Sequence, residues 1–266
     1  MCSVVCLKIQ IVSNQLFNMI LPNFLKPFEK DIEKAKMQSL HIEATVCRID
    51  ELKLSHSCFM GRPWLPKGTD YPMDKKGQPM LLLAQINFSE APQLPDFPEK
   101  GILQCYISPT NWTEAKDYKI LFWADPSVEM VLTTDFSFLK DDLLVESPIT
   151  LPHTLCFDLV ETYGSPQDVR TQKILPMLGS DEITDAEEDA IYKLFDGTGH
   201  KVGGYAFFTQ DDPRYKDKIK DDVLLLQIDS DKHIQFGDGG VANFFIPRAA
   251  LLSRDFSKAW FNWDCY

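Results

Sequence analysis

The sequence lacks both the long apolar runs of membrane proteins and the short motifs of several enzyme classes. None of its apolar stretches, across 266 residues, approaches the roughly 20 residues that a membrane-spanning helix needs. It contains no G-x-S-x-G segment, no phosphate-binding loop, and no G-x-G-x-x-G motif after a strand. These absences argue against a membrane partner and against the hydrolase, nucleotide-hydrolysing and dinucleotide-dependent classes.

Metal-binding patterns are missing as well. The five histidines never lie two or four residues apart, and no C-x-x-C pair occurs. We therefore predict no metal site and no cofactor. The seven cysteines are odd in number and scattered, and several lie in apolar strand-like runs. This usage predicts reduced thiols that pack as small hydrophobic groups in a cytoplasmic protein.

The negative charge is concentrated in the middle of the chain. The formal net charge is −12, and the stretch from Asp125 to His200, with sixteen acidic and four basic residues, accounts for all of it. Such a surface repels nucleic acid, so we predict no nucleic-acid partner. Two interpretations stay open, a solvated face that keeps the protein soluble and a face that binds a basic protein. The candidate partner face consists of Asp181, Glu182, Asp185, Glu187, Glu188 and Asp189.

Two stretches of the chain nearly repeat each other. LLLAQIN at 81–87 aligns with LLLQID at 224–229 when Gln85 is placed over Gln227. In the same frame Gly61 matches Gly204 upstream. Downstream, GILQCYI matches GVANFFI. Because three blocks recur in one order at similar distances, the pattern predicts an internal duplication.

Each repeated unit reads as a pair of strands. The continuous aliphatic runs LLLAQI and VLLLQI are typical of strands buried on both faces. A unit of this size buries too little apolar surface alone, so two units are expected to share a core. The predicted fold class is α+β, a β-rich single globule built on two duplicated β-units, about 57–110 and 200–248, with a few flanking helices.

The remaining segments complete one predicted domain. We expect an N-terminal helical segment and strand at 1–56, an acidic mixed segment at 111–199, and a second unit with an aromatic tail at 200–266. Local patterns predict a helix within 27–40 and strands at 41–49, 119–124, 128–134 and 154–163. The segment 184–195 predicts a helix that begins with a capping box between Thr184 and Glu187.

An amide inside an apolar strand needs a partner, because an unpaired buried amide is destabilising by roughly 1–3 kcal/mol. One interpretation is that Gln85 and Gln227 bind neighbouring loops. The other is that they face a shared cleft and bind a ligand together with polar groups near the strand ends. The candidate cleft residues are Gln85, Asn87, Gln227, Asp229, Asp211 and Asp238.

Several motifs resemble those of a known family. GRPWLPKG, LLLAQINF and P-x-x-GILQCYI in the first half, with VGGYAFFTQDDPR, LLLQIDSD, GDGGVANFFI and DFSKAWFNWDCY in the second, resemble the YwqG-like family, a bacterial family of unknown function. The resemblance runs from about Ser57 to the C-terminus. It implies an α+β fold with duplicated β-motifs and an immunity or accessory role, and no catalytic residues. The family usually has Gly-Gly where this chain has Met60-Gly61.

Two functional hypotheses follow. The first is a non-catalytic cytosolic binding protein, such as an immunity or accessory protein, that holds a basic partner. The second is an enzyme or small-ligand-binding protein with its site in the cleft between the two β-units. The duplication and the localised acidic charge favour the first. The sequence leaves the oligomeric state open.

Overall fold

The structure, a computed structural model, describes residues 21–127, 129–178, 180, 182–215, 219 and 221–266. The predictions that concern residues 1–20 lie outside these ranges. Ten strands form one antiparallel sheet. They are β1 Met37–Val46, β2 Cys58–Phe59, β3 Leu81–Asn87, β4 Ile102–Ile107, β5 Tyr118–Trp123, β6 His153–Thr162, β7 His200–Gly203, β8 Asp222–Asp229, β9 Val241–Pro247 and β10 Trp260–Asp264.

Two long strands form the centre of the sheet. The strand order is β10-β9-β8-β7-β1-β6-β2-β3-β4-β5. The central strands β1 and β6 pair along their whole length, from Met37 opposite Thr162 to Val46 opposite His153. Strands β2 to β5 therefore lie on one side of the centre and β7 to β10 on the other. The protein is β-rich with few helices, as predicted.

The two repeated runs form strands β3 and β8, as their apolar composition predicts. Both are buried along almost their whole length. Each pairs with the next strand along the chain, and each pairing contains one register shift, at Leu83 in β3 and at Leu225 in β8. A β-bulge of this kind increases the local twist of the sheet. The side chains of the inner face join one core that includes Leu83, Leu226 and Phe244.

Aromatic side chains connect the two ends of the sheet. The rings of Tyr118 on edge strand β5 and Phe261 on edge strand β10 have centroids 6.0 Å apart. The indole N–H of Trp263 donates to the backbone oxygen of Thr113, just before β5, at 2.8 Å. The aromatic C-terminal tail is therefore packed into the fold.

The described residues contain four α-helices: α1 Glu29–Lys34, α2 Val169–Ile174, α3 Asp185–Leu194 and α4 Arg248–Leu252. The predicted capping box of α3 is present, since the Thr184 hydroxyl accepts from Glu187 N–H and the Glu187 carboxylate accepts from Thr184 N–H. Ile32 of α1 and Ile191 of α3 belong to a small apolar core that is separate from the core of the sheet.

One local prediction is wrong in its extent and another in its type. A helix is present within 27–40 but ends at Lys34, and residues from Met37 onward belong to β1 because they pair with β6. The strand predicted at 128–134 is a single bridge in its described part, 129–134, between Leu132 and Pro66. Thr133 N–H donates to Leu65 O, in the loop after β2, beside this bridge. In both cases contacts with distant segments overrule the local pattern.

The cysteine prediction needs a correction as well. Cys47, Cys58, Cys105 and Cys265 are free thiols, whereas Cys156 is disulfide-bonded. The expectation that all cysteines are reduced is therefore wrong at Cys156. None of the helices in the described ranges has the length and apolar character needed to cross a membrane.

Candidate ligand cavity

The buried amide of Gln85 holds two loops of the first half. Its oxygen accepts from Trp64 N–H at 2.8 Å. Its nitrogen donates to the backbone oxygens of Leu54 at 2.9 Å and His56 at 2.7 Å. The side chain is fully buried. Gln85 therefore closes the turn before β2 and anchors the chain that leaves it.

Gln227 makes the same contacts in the second half. Its oxygen accepts from Phe207 N–H at 2.8 Å. Its nitrogen donates to the backbone oxygens of Gly197 at 3.0 Å and Gly199 at 2.7 Å. Both buried amides are thus paired with loops beside their own strands, and the oxygen of Gln85 also accepts from the Gln104 side chain on β4 at 2.8 Å.

The other candidate cleft residues lie near these loops or at the surface. The Asn87 amide donates to Ser55 O at 2.9 Å, beside the loop that Gln85 holds. The Asp229 carboxylate accepts from Gly199 N–H at 2.7 Å, beside the loop that Gln227 holds, and burial raises its pKa. Asp211 and Asp238 are exposed. These hydrogen bonds divide the set between the two halves.

An apolar cavity of about 680 Å³ lies beside the first repeated strand. One wall is formed by Leu81 and Leu83 of β3 and by Met60, which follows β2. Opposite them, the irregular segment 136–152 contributes Phe136 and Leu143 among other side chains. We call this space the apolar cavity. Its volume falls in the range of about 300–1,000 Å³ that is typical of small-molecule sites.

The backbone of Met60 is strained at the cavity wall. Its φ is +50°, in the left-handed region that non-glycine residues seldom adopt. Its N–H donates to Leu83 O at 3.2 Å, which ties the strained residue to β3. Strain of this kind persists where the surroundings hold it, and it concentrates at functional sites. The flexible thioether side chain of methionine suits a wall that must adapt to a ligand.

The residue equivalent to Met60 in the second half is Gly203, and another side chain occupies the space beside it. Met60 lies two residues after Cys58, which pairs with Gln85, and Gly203 lies two residues after Lys201, which pairs with Gln227. Gly203 also has a positive φ, +74°. A Cβ added there would lie 2.8 Å from Leu94 Cδ2. The apolar cavity therefore lies beside Met60 but has no counterpart beside Gly203. The strand pattern that the two halves share does not by itself produce a cavity.

Charged side chains lie on the cavity lining in only three places, 48–50, Arg62 and 140–141. Arg48 and Asp50 form an exposed two-point ion pair, with N···O distances of 3.0 and 2.6 Å. The hydrogen bond from Arg48 lowers the pKa of Asp50 most, and the charge of Arg62 adds to the effect. Within the described ranges, no hydrogen bond or ion pair engages the exposed guanidinium of Arg62.

The thiol of Cys47 also lines the apolar cavity. Burial raises its pKa, and the charge of Glu51 raises it further. The thiol is therefore protonated at neutral pH, and a protonated thiol is a weak nucleophile. The lining thus offers mainly apolar contact, with ionic groups at 48–50, Arg62 and 140–141.

A smaller polar pocket of about 300 Å³ lies next to α3. It brings together Glu188, from the predicted acidic face, and Asp211, from the predicted cleft. Gln167 also lines it, and the buried side-chain oxygen of this residue has no hydrogen-bond partner among the described residues. The pocket therefore combines two acidic residues with several uncharged polar side chains.

The rest of the predicted acidic face surrounds α3. Glu182, Asp185 and Asp189 are exposed. Glu187 accepts the hydrogen bonds of the capping box, first from Thr184 N–H, and these lower its pKa. Asp181 lies outside the described residues. The carboxylates of this face therefore lie in the first turns of one helix and in the segment before it.

Sequence reasoning missed a buried network of charged groups. Arg214 and Asp168 have fully buried side chains and lie 2.7 Å apart. Asp212 pairs with the same guanidinium at 2.6 Å, and Arg170 pairs with Asp168 at 2.6 Å. Asp212 and Arg214 looked like turn residues, and Asp168 is more than forty positions away in the chain. The apolar cavity was missed because the segment 136–152 has no periodic pattern.

No group of three or more His, Cys, Asp or Glu side chains in the described parts of the chain is arranged to hold a metal ion.

A comparison with known families matches residues 57–265 to DUF1963, a domain of unknown function. A comparison with curated proteins found no match. The matched region contains strands β2 to β10, both buried glutamines and most of the lining of the apolar cavity. Since the match covers well over half of its length, the chain belongs to the DUF1963 family.

Proposed function

We propose that this protein is a binding protein that holds a small apolar molecule in the apolar cavity. The observation that carries this proposal is the cavity itself, about 680 Å³ in volume and lined mainly by aliphatic and aromatic side chains. Each square ångström of apolar ligand surface moved into such a site stabilises the complex by about 25 cal/mol. Binding here needs no catalytic group.

The strained wall residue supports the proposal. Met60 and its equivalent Gly203 both have a positive φ. Glycine adopts this conformation without strain because it has no side chain, whereas methionine does not. Beside Gly203, the side chain of Leu94 from the first half leaves no room for a Cβ, so the two equivalent positions share a positive φ but differ in residue type and packing. A departure that combines strain with an empty volume is expected at a ligand site.

Titration with Nile red, a neutral dye that fluoresces in apolar surroundings, tests the proposal. We expect one saturable site. Leu151→Trp changes a half-exposed lining residue and should weaken binding by about tenfold or more. Leu252→Trp makes the same change at a similarly exposed leucine outside the lining and should leave binding unchanged. Absence of a saturable site, or equal effects of the two variants, would reject the proposal.

A second candidate function is the binding of a basic protein at the acidic face of α3. It is supported by the polar pocket, whose lining includes the acidic residues Glu188 and Asp211 together with Gln167. Carboxylates suit the guanidinium or ammonium group of a partner. An immunity or accessory role, as the family resemblance implies, would use this face.

Affinity capture from the native cytosol at low and at high salt tests the second candidate. We expect one dominant basic protein that is lost at high salt, because exposed charges are screened. Glu188→Lys should abolish capture. Glu99→Lys, the same charge reversal at an exposed site outside the pocket, should not. If the partner protein were still captured at high salt and by the Glu188→Lys variant, this candidate function would be contradicted.

We also propose that the two halves arose by internal duplication. The matched hydrogen bonds of Gln85 and Gln227 and the bulges at Leu83 and Leu225 support it. The narrower YwqG-like assignment, a bacterial source and a cytoplasmic location stay predictions. A family alignment in which the two halves of each member match each other better than shuffled sequences do would support duplication, and the absence of such a match would count against it.

A further inference from the structure

We propose that the ligand of the apolar cavity is a single-chain anionic amphiphile whose head group binds Arg62, an inference that rests on the function proposed above. The apolar chain would lie against Leu81, Leu83 and Met60. The acidic head would stay at the exposed guanidinium of Arg62. The class includes fatty carboxylates and alkyl phosphates.

The lining separates apolar from charged groups in the way that an amphiphile needs. Its strand wall, residues 80–83, is buried and carries no charge. The charged side chains come from 48–50, Arg62 and Lys140-Asp141, and all five of these side chains are exposed. A wholly apolar ligand would leave the charged groups unused. A wholly polar ligand would lose water without gaining partners along the wall.

The free charge among these groups is positive. Asp50 lies between two cations, but its two oxygens are already held by Arg48, at 3.0 and 2.6 Å. Arg62 is close enough to lower the pKa of Asp50 and still has no ion-pair partner within the described ranges. Lys140 and Asp141 cancel in formal charge, as Arg48 and Asp50 do, so the five charged side chains of the lining sum to +1. The lining is therefore locally positive in a protein whose net charge is −12, and Arg62 supplies the excess charge.

The chemistry of a guanidinium selects the head group. Its planar N–H groups match the two oxygens of a carboxylate or phosphate, and such charge-assisted pairs are stronger than neutral hydrogen bonds. A cationic head group would face Arg62 directly and would find Asp50 already paired. A hydroxyl head is uncharged and offers a single oxygen, so it cannot form the parallel two-oxygen pair with the guanidinium. The rim therefore favours anions over alcohols, and alcohols over amines.

Displacement of Nile red by ligands of equal chain length tests the proposal. The probes are dodecanoate, dodecyl phosphate, dodecan-1-ol and dodecylamine. We expect both anions to bind about tenfold or more tightly than the alcohol, and the amine to bind most weakly. Tetradecanoate should bind more tightly than dodecanoate, by about fourfold for each added methylene. Preference for only one anion would identify a carboxylate or a phosphate as the head group.

Two variants locate the head group. Arg62→Gln should reduce the preference for anions over the alcohol about tenfold. Lys258→Gln removes the same charge at an exposed site outside the lining and should leave both this preference and Nile red affinity unchanged. Equal affinity for the acid, the alcohol and the amine, with Nile red still bound, would overturn the head-group proposal and leave the proposed function standing. Loss of Nile red binding to the unmodified protein would overturn both.

Discussion

Arg214 and Asp168 lie 2.7 Å apart, and neither side chain is exposed. The guanidinium also pairs with Asp212 and donates to the backbone oxygen of Asp222 at the start of β8. The carboxylate of Asp168 accepts from the backbone N–H of Ala206 as well. The pair thus connects the start of α2 to β8 and to the segment that follows β7, and it fixes how the second half is assembled.

Loss of the buried arginine should be strongly destabilising. Arg214→Met keeps much of the apolar volume but leaves Asp168 and Asp212 without their central cation. Breaking a buried pair by removing one partner lowers the free energy of unfolding by about 3–5 kcal/mol. Urea denaturation followed by tryptophan fluorescence measures the change.

Lys100→Met is the matched control for that variant. Lys100 pairs with Asp125 at 2.9 Å, but both side chains are largely exposed. Exposed pairs contribute little to stability, so the urea midpoint should hardly move. Equal losses in the two variants would contradict the role that we assign to the buried network.

Acid should unfold the protein partly through Asp168. Burial alone would raise the pKa of this carboxyl, but Arg170 and Arg214 hold it well below the usual range. A pKa that is lowered on folding contributes stability above the unfolded pKa of about 4, and this contribution is lost as the pH falls below that value. Between pH 5 and pH 3, the wild type should therefore lose stability more steeply than Asp168→Asn, measured by urea denaturation. Parallel curves would contradict this assignment.

The two buried glutamines should be equally important for stability. Gln85→Leu and Gln227→Leu each leave one backbone N–H and two backbone oxygens without their amide partner. Since an unpaired buried group is destabilising by about 1–3 kcal/mol and each variant leaves three such groups, each should lose about 3 kcal/mol or more of unfolding free energy. Gln235→Leu, at an exposed glutamine that donates only to Gly237, should lose far less. A small loss in either buried variant would indicate that water replaces the amide.

The sequence predicted those parts of the fold in which local pattern and tertiary contact agree. The runs 81–87 and 224–229 are mostly aliphatic and form buried strands, and the Thr184 capping box begins a helix. The start of β1 at Met37 was missed because its partner in β6 is 125 positions away and the local spacing is helical. The apolar cavity depends on how an irregular segment covers a strand, and a sequence carries no periodic signal for that.

Weak acid should destabilise the protein through two buried histidines. Burial lowers the pKa of both His153 and His200, while the charge of Asp231 opposes the shift. His41, His233 and Asp229 complete the titratable groups that act on the pair. The two imidazoles therefore bind protons less readily in the folded state than in the unfolded chain, where a histidine has a pKa of about 6.5. Stability should fall by about 1 kcal/mol as the pH drops from 7.5 to 5.5.

His153→Phe tests this pH dependence because neither ring nitrogen of His153 has a hydrogen-bond partner among the described residues. The variant should flatten the stability profile between pH 7.5 and 5.5, measured by thermal unfolding. His56→Phe removes an imidazole outside this group and should leave the slope intact. A slope that His153→Phe does not change would place the pH response elsewhere.

Because the backbone of Met60 is strained, we expect glycine at this position to be more stable than alanine, which is the reverse of the usual order. At most positions glycine is less stable than alanine by about 0.5–1 kcal/mol. At a φ of +50° a side chain adds about 1–2 kcal/mol of strain that glycine avoids. Met60→Gly should therefore be more stable than Met60→Ala, by up to about 1 kcal/mol in urea denaturation.

The same two variants separate backbone strain from ligand binding. Both remove the thioether from the wall of the apolar cavity, so both should weaken Nile red binding by a similar factor even though their stabilities differ. Met73→Gly and Met73→Ala, at an exposed methionine outside the lining, should show the ordinary order, with alanine more stable, and unchanged dye binding. If Met60→Gly bound the dye as tightly as the wild type, the Met60 side chain would make no contact with the ligand. Removing a side chain weakens binding only when that side chain contacts the ligand.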